Sequence, residues 1–243
     1  MSVSADEPPL VRRIRAIYDE GAPRQIHPHI GRAFLEPADE SLRILAVGIN
    51  SYLDAPADAS PHPGWFAGWF TEQRHRYTRR LWRDLKVLAE TLTAPGARFA
   101  TKRFRGMDSV FLTNAIKVYL PSSEGKRADQ LTDAHFAKHL GQWRGEFDAM
   151  AEACALPHVV AIIGAPFWGR ACASLSEPSA FEHFSVRESR GYGGPLQHFL
   201  RSVKLETPQG LHELLLVRVR HPAARAAVGS PRWLAGESDF HSG

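Results

Sequence analysis

Two asparagines and a histidine stand where this chain could do chemistry. Asn50, Asn114 and His221 each follow directly on an apolar run, and Gly164 closes a fourth such run. A side-chain amide presents one hydrogen-bond donor and one acceptor, and an imidazole can donate to an oxygen that gathers negative charge. Brought together, these groups could line one polar cleft.

The runs themselves define the elements that must carry these residues. Ile44, Leu45, Ala46 and Val47 show no alternation of apolar and polar, which predicts a strand covered on both faces in a parallel sheet. Gly48 then permits a sharp turn or the close approach of a ligand, and Asn50 and Tyr52 follow at the carboxyl end of the strand, where α/β folds bind ligands. Val110–Asn114, Val159–Gly164 and Leu214–His221 repeat the arrangement, separated by segments of helical character. Right-handed crossovers would set all four strand ends on one edge of a sheet, so Asn50, Asn114, Gly164 and His221 are expected to share a cleft.

With 243 residues, 44% hydrophobic and 23% charged, the chain is expected to bury one core in a single domain, 1–243, with residues 1–40 as an N-terminal helix and loop cover. A formal charge of +4 and a sequence pI near 9.3 allow a polyanionic partner without requiring one. The two cysteines, Cys154 and Cys172, are too few for a four-thiolate cluster or a disulfide framework. No apolar signal core opens the chain and no run reaches the roughly 20 apolar residues of a membrane helix, so a cytoplasmic protein without membrane contact is expected.

Between the strands, the Pro-rich loop 55–64 leads to Trp65, Phe66, Trp69 and Phe70, a candidate pocket wall. Tyr77, Leu81, Leu85, Leu88 and Leu92 mark an amphipathic helix, and Phe136, Leu140, Trp143, Phe147 and Met150 mark another over 128–155. Arginines at 74, 76, 79, 80 and 83, and the patch Lys102 to Arg105, suit either a solvated face or phosphate contacts. His135 and His139 have the i, i+4 spacing of zinc ligands, but without a neighbouring Glu or a third ligand they are expected to be surface histidines, and no metal is expected. Pro166 to Ser174 is expected to open a helix, and Arg190 to Pro195 to form a loop.

In order along the chain, Gly48-Ile-Asn50, Thr113-Asn-Ala-Ile-Lys117 and His221-Pro222 resemble the motifs of the uracil-DNA glycosylase superfamily. The resemblance spans most of the chain and implies a three-layer α/β sandwich with a central four-stranded parallel sheet flanked by helices. Gly48-Ile-Asn50 looks like the water-activating motif of the mismatch-specific and single-strand-selective branches. Tyr52 instead resembles the tyrosine of the main branch, which packs against C5 of uracil and excludes thymine. Thr113 to Lys117 is similar to an element of the iron–sulfur branch, but Val118 stands at its cysteine, so no cluster, and no other cofactor, is expected. His221-Pro222 matches the last motif, with Ala223 in place of the usual serine.

Carried onto this chain, the resemblance implies a monofunctional hydrolase that releases uracil or a related deaminated base from DNA and initiates base excision repair. Asn50 positions the water and His221 donates to the departing base oxygen. Asn114 matches O4 and N3–H of uracil with its donor and acceptor respectively, and Phe66, or Phe70 in its place, receives the face of a base drawn out of the stack. Gly48 and Tyr52 complete the base pocket. Lys117, Gly164, Arg225 and Arg232 are expected to contact DNA, with the protein acting as a monomer. Asparagine at 50 lacks the charge of an aspartate, so turnover is expected to be slow. The alternative is a non-catalytic binder of uracil-containing or abasic DNA. A small-molecule hydrolase is a third reading, weakened by the absence of a Gly-x-Ser-x-Gly elbow. Taken singly, each asparagine could cap a turn and His221 could be a satisfied histidine before a proline; the order of the four strand ends favours a site.

Overall fold

The structure is a computed structural model that describes residues 7–18, 28–49, 76–117, 131–177, 180–193, 196 and 198–219, with side chains of 76–117 described from Leu81 onward. Among these residues the strands are β1 (His29–Ile30), β2 (Ile44–Gly48), β3 (Val110–Asn114), β4 (Val159–Ile163), β5 (Ser185–Gly191), β6 (Leu200–Thr207) and β7 (Gly210–Val219). The helices are α1 (Pro9–Ile17), α2 (Arg32–Leu35), α3 (Arg76–Thr93), α4 (Asp133–Glu152) and α5 (Trp168–Ser174), with a 3-10 turn at Gly106–Ser109.

One seven-stranded sheet runs in the order β1-β3-β2-β4-β7-β6-β5. β3, β2, β4 and β7 are mutually parallel neighbours, while β1 adds antiparallel to β3 and the β5–β6 pair adds antiparallel to β7. The sheet is therefore mixed and wider than the four-stranded sheet expected, with the parallel strands as its middle. Ser185–Gly191 has only one buried residue, Val186, and β6 buries only Leu200, Val203 and Leu205 among charged neighbours. Neither stretch carries the continuous apolar signature of the central strands. The expected loop from Arg190 is in part the end of β5, and the last strand begins earlier than expected because the hairpin Thr207 to Gly210, with Gly210 at φ +116°, returns β6 directly into β7.

Alternation along the buried strands feeds two cores. Leu45, Val47, Phe111, Val160, Ile162, Leu214 and Leu216 face Leu10 and Ile14 of α1, Trp143, Phe147 and Met150 of α4, and Ala171 of α5. Ile44, Ala46, Val110, Leu112, Val159, Ala161, Leu215 and Val217 face Leu81, Leu85, Leu88 and Leu92 of α3. Helices thus cover both faces of the parallel strands, which is why those strands read as unbroken apolar runs. α4 starts at Thr132, whose side chain accepts from the backbone of His135 while the His135 ring accepts from the Thr132 N–H at 3.1 Å. His135 is thus a capping residue. His139 is not on the surface as expected: it is buried, bonded to Gln142 at 2.9 Å, and its pKa is lowered by that burial. No group of three or more metal-ligating side chains occurs among the described residues, and no helix there is long and apolar enough to cross a membrane.

Candidate functional site

The parallel register aligns the strand ends. Gly48 pairs with Asn114, Val47 with Ile162, and Ile163 with Val219, so Asn114, Gly48, Ile163 and Val219 lie level across four adjacent strands. Ile49 and Gly164 come one residue later on the same edge, and Asn50 and His221 are the first and second residues beyond Ile49 and Val219 in the chain. Asn50, Tyr52, Phe66, Phe70, His221, Arg225 and Arg232 lie outside the described residues.

Asn114 is the best defined of the expected site residues. By strand alternation its side chain shares the α3 face with Val110 and Leu112, as does position 48 with Ile44 and Ala46. A Cβ on residue 48 would overlap Asn114 Oδ1, so glycine there is what lets the amide lie across β2. Asn114 is only 6% exposed, and its buried Nδ2 has no hydrogen-bond partner among the described residues. A buried unpaired donor costs about 1–3 kcal/mol; Trp143 Nε1, Arg144 Nε and Arg201 Nε share this state among the described residues, and Asn114 is the one of them at the aligned strand ends.

The turn that follows is stitched to β2. Ala115 N–H donates to Gly48 O at 2.8 Å and Ile116 N–H to Ile49 O at 2.9 Å. Gly164, at φ +90°, takes the chain out of β4 in a conformation that favours glycine, and its N–H donates to Val219 O at 2.8 Å. That amide is committed within the sheet, so Gly164 serves the turn and its N–H is not a phosphate donor.

Lys117 overturns an expectation. Its side chain is 0% exposed and its Nζ donates to Glu146 Oε2 at 2.6 Å and to Thr113 Oγ1 at 2.6 Å. A lysine so enclosed cannot reach a DNA phosphate. Thr113 donates to Glu146 Oε1 at 2.8 Å, and the Tyr18 hydroxyl donates to the same oxygen. Burial pulls the Lys117 pKa down against the opposing pull of Glu146, and burial followed by the Glu146 charge pushes the Tyr18 hydroxyl well up, so Tyr18 stays a donor.

Glu146 and Tyr18 are absent from the motifs read along the chain. The signal for Glu146 was a carboxylate set among Trp143, Phe147 and Met150, inside an apolar helix stripe. Each of those fully buried side chains contributes about 1.5–3 kcal/mol, enough together to offset desolvation of several kcal/mol per buried ion.

Two other polar features lie away from the aligned strand ends. The patch Lys102 to Arg105 precedes β3 and bridges to Ser41 just before β2, at the amino edge of the sheet. The five residues of β3, about 3.3 Å each, separate it from Asn114, so it faces away from the aligned ends. A cleft of about 290 Å³ opens on the antiparallel extension between Arg98, Glu188, Lys204 and Glu213. Its charges pair internally, Arg98 with Glu213 at 3.2 Å and Lys204 with Glu188 at 3.1 Å, and Asn114 does not line it. No protein-family model matches the chain, and no curated protein matches it.

Proposed function

We propose that the chain is a DNA glycosylase that hydrolyses the N-glycosidic bond of uracil, or of a related deaminated base, and so initiates base excision repair. The observation that carries this reading is Asn114: a buried amide, held across Gly48 at the carboxyl edge of the parallel strands, with an Nδ2 that has no partner among the described residues. Uracil O4 would supply the acceptor that Nδ2 lacks, and Oδ1 would take the N3–H. Cytosine presents the reversed pattern and would leave both groups mispaired.

In this mechanism the nucleotide leaves the stack and its ring meets Phe66 or Phe70. Asn50 places a water against the sugar carbon as the glycosidic bond breaks. His221 donates to the base oxygen that gathers the departing electron pair, and water supplies the hydroxyl on the sugar. Arg225 and Arg232 are the candidates for phosphate contacts. The asparagine at 50 and the alanine at 223 favour one other reading, a protein that grips uracil-containing or abasic DNA without cutting the bond.

Single-turnover incubation with oligonucleotides carrying uracil, hypoxanthine, xanthine or a T:G mismatch, followed by alkaline cleavage of abasic sites, separates the two. Base release from uracil that falls on the order of 10²–10³ in His221→Ala supports the glycosylase. Salt-sensitive binding with no release supports the binder, and neither binding nor release removes both.

A further inference from the structure

We propose that Glu146, Lys117, Thr113 and Tyr18 form a buried clamp that positions Asn114 from the opposite face of β3. As a role in recognition, it rests on reading Asn114 as the residue that meets the base edge. The clamp grips the chain on both sides of that residue. Thr113 comes immediately before Asn114 and Lys117 three residues after it, and both bond to Glu146 of α4. Tyr18, just past α1, closes the carboxylate from a third element.

Strand alternation sends the Thr113 side chain toward α4 and the Asn114 side chain toward α3. The clamp therefore holds the strand end from beneath without occupying the space in front of the amide. From the sheet side, Ala115 and Ile116 are fastened to the carbonyls of Gly48 and Ile49. Residues 113–117 are thus tied by directional bonds on both sides, while the Asn114 Nδ2 has no partner among the described residues.

Stability alone does not account for such a device. A buried ion pair is often no better than apolar side chains of the same volume, because desolvation offsets the attraction. What charged, hydrogen-bonded groups add over apolar packing is a preferred angle and distance, and a recognition group must be held to about 0.5 Å. Four buried side chains, from the C-cap of α1, β3, the turn after it and α4, supply that constraint here. They are positioning residues, since none of their contacts is with a reacting atom.

The test uses side-chain amide NMR of the full chain, with the Asn114 Nδ2 signal identified by its loss in Asn114→Ala. Lys117→Met/Glu146→Gln removes both charges at once while leaving an acceptor for Tyr18 and Thr113. Thr113→Val removes one hydroxyl at nearly constant volume, and Thr113→Ser restores it. The expected result is a folded protein whose Asn114 signal shifts and broadens in the double variant and in Thr113→Val, and returns in Thr113→Ser. Uracil excision should then fall on the order of 10–100-fold in kcat, as for a misplaced recognition group. KM for the oligonucleotide should stay within about twofold, since the clamp side chains are buried and cannot reach a phosphate. An unchanged Asn114 signal in folded Thr113→Val overturns the clamp, whatever becomes of the double variant. Absence of base release by the wild-type chain overturns the glycosylase reading instead, while the NMR signal still decides whether the clamp positions Asn114.

Discussion

Asn114 Oδ1 occupies the space that a Cβ on Gly48 would fill, across a register pair of two parallel strands. The glycine and the asparagine are therefore one unit: the first is small so that the second can lie flat over the strand end.

Gly48→Ala tests that unit. Gly48 does not have a left-handed backbone, so the cost is steric and falls on the Asn114 side chain. Overpacking at such a contact destabilises by about 1–3 kcal/mol. The expected outcome is a folded protein with a lowered Tm in calorimetry and little uracil excision, because the amide has been pushed off the strand. Full activity in Gly48→Ala would show that the position of Asn114 does not matter to the reaction.

Asn114→Asp exchanges the open donor for a carboxylate oxygen while keeping the shape. An ionised carboxylate has no hydrogen to give O4, so uracil release should fall, and some cytosine release should appear where the acid can accept from the exocyclic amine. Parallel single-turnover assays on the two oligonucleotides read this directly, and undiminished uracil excision would remove Asn114 from base recognition.

Lys117→Met alone strands the Glu146 carboxylate in the interior. Breaking a buried pair from one side costs about 3–5 kcal/mol, whereas removing both charges is often neutral. Urea titration should therefore show Lys117→Met strongly destabilised and Lys117→Met/Glu146→Gln substantially recovered. Equal loss in both would mean that the two charges are not coupled in the folded state.

Stability should decline in acid through His158. Its Nδ1 accepts from the Arg43 N–H at 3.1 Å, and it packs beside His212 and Phe99. Burial first, then the charges of Arg43, His212 and Lys102, lower its pKa from 6.5 to about 2. Because the folded value lies below the unfolded one, the stabilisation is present above pH 6.5. It is lost toward pH 2 at up to about 1.4 kcal/mol per pH unit. His158→Asn, which keeps an acceptor for Arg43, should flatten the dependence of urea midpoints on pH across that window. A slope identical to wild type would assign the acid sensitivity to other groups.

Tyr52→Ala tests the thymine gate implied by the resemblance. Removing a ring that blocks the C5 methyl lifts a penalty without adding attraction. Thymine should begin to leave T:G mismatches, where extrusion costs less, while uracil excision falls modestly. A variant of unchanged Tm that still rejects thymine completely would exclude the gate.

The amino-acid sequence by itself determined the middle of this protein. Unbroken apolar runs at 44–47, 110–112 and 159–163 mark strands buried on both faces, since only a sheet covered twice removes every side chain from water, and the amphipathic stripes of α3 and α4 mark the covers. Asn114 was legible for the same reason, as the polar residue at which such a run stops. The sheet extension was not, because Ser185–Gly191 and Leu200–Thr207 bury few side chains and take their strand character from hydrogen bonds with neighbours distant in sequence. Lys117 shows the limit most sharply. A lysine beside a candidate DNA site reads as a phosphate contact, and only the tertiary structure turns it inward, because Glu146 lies 29 residues later and arrives through the packing of a helix.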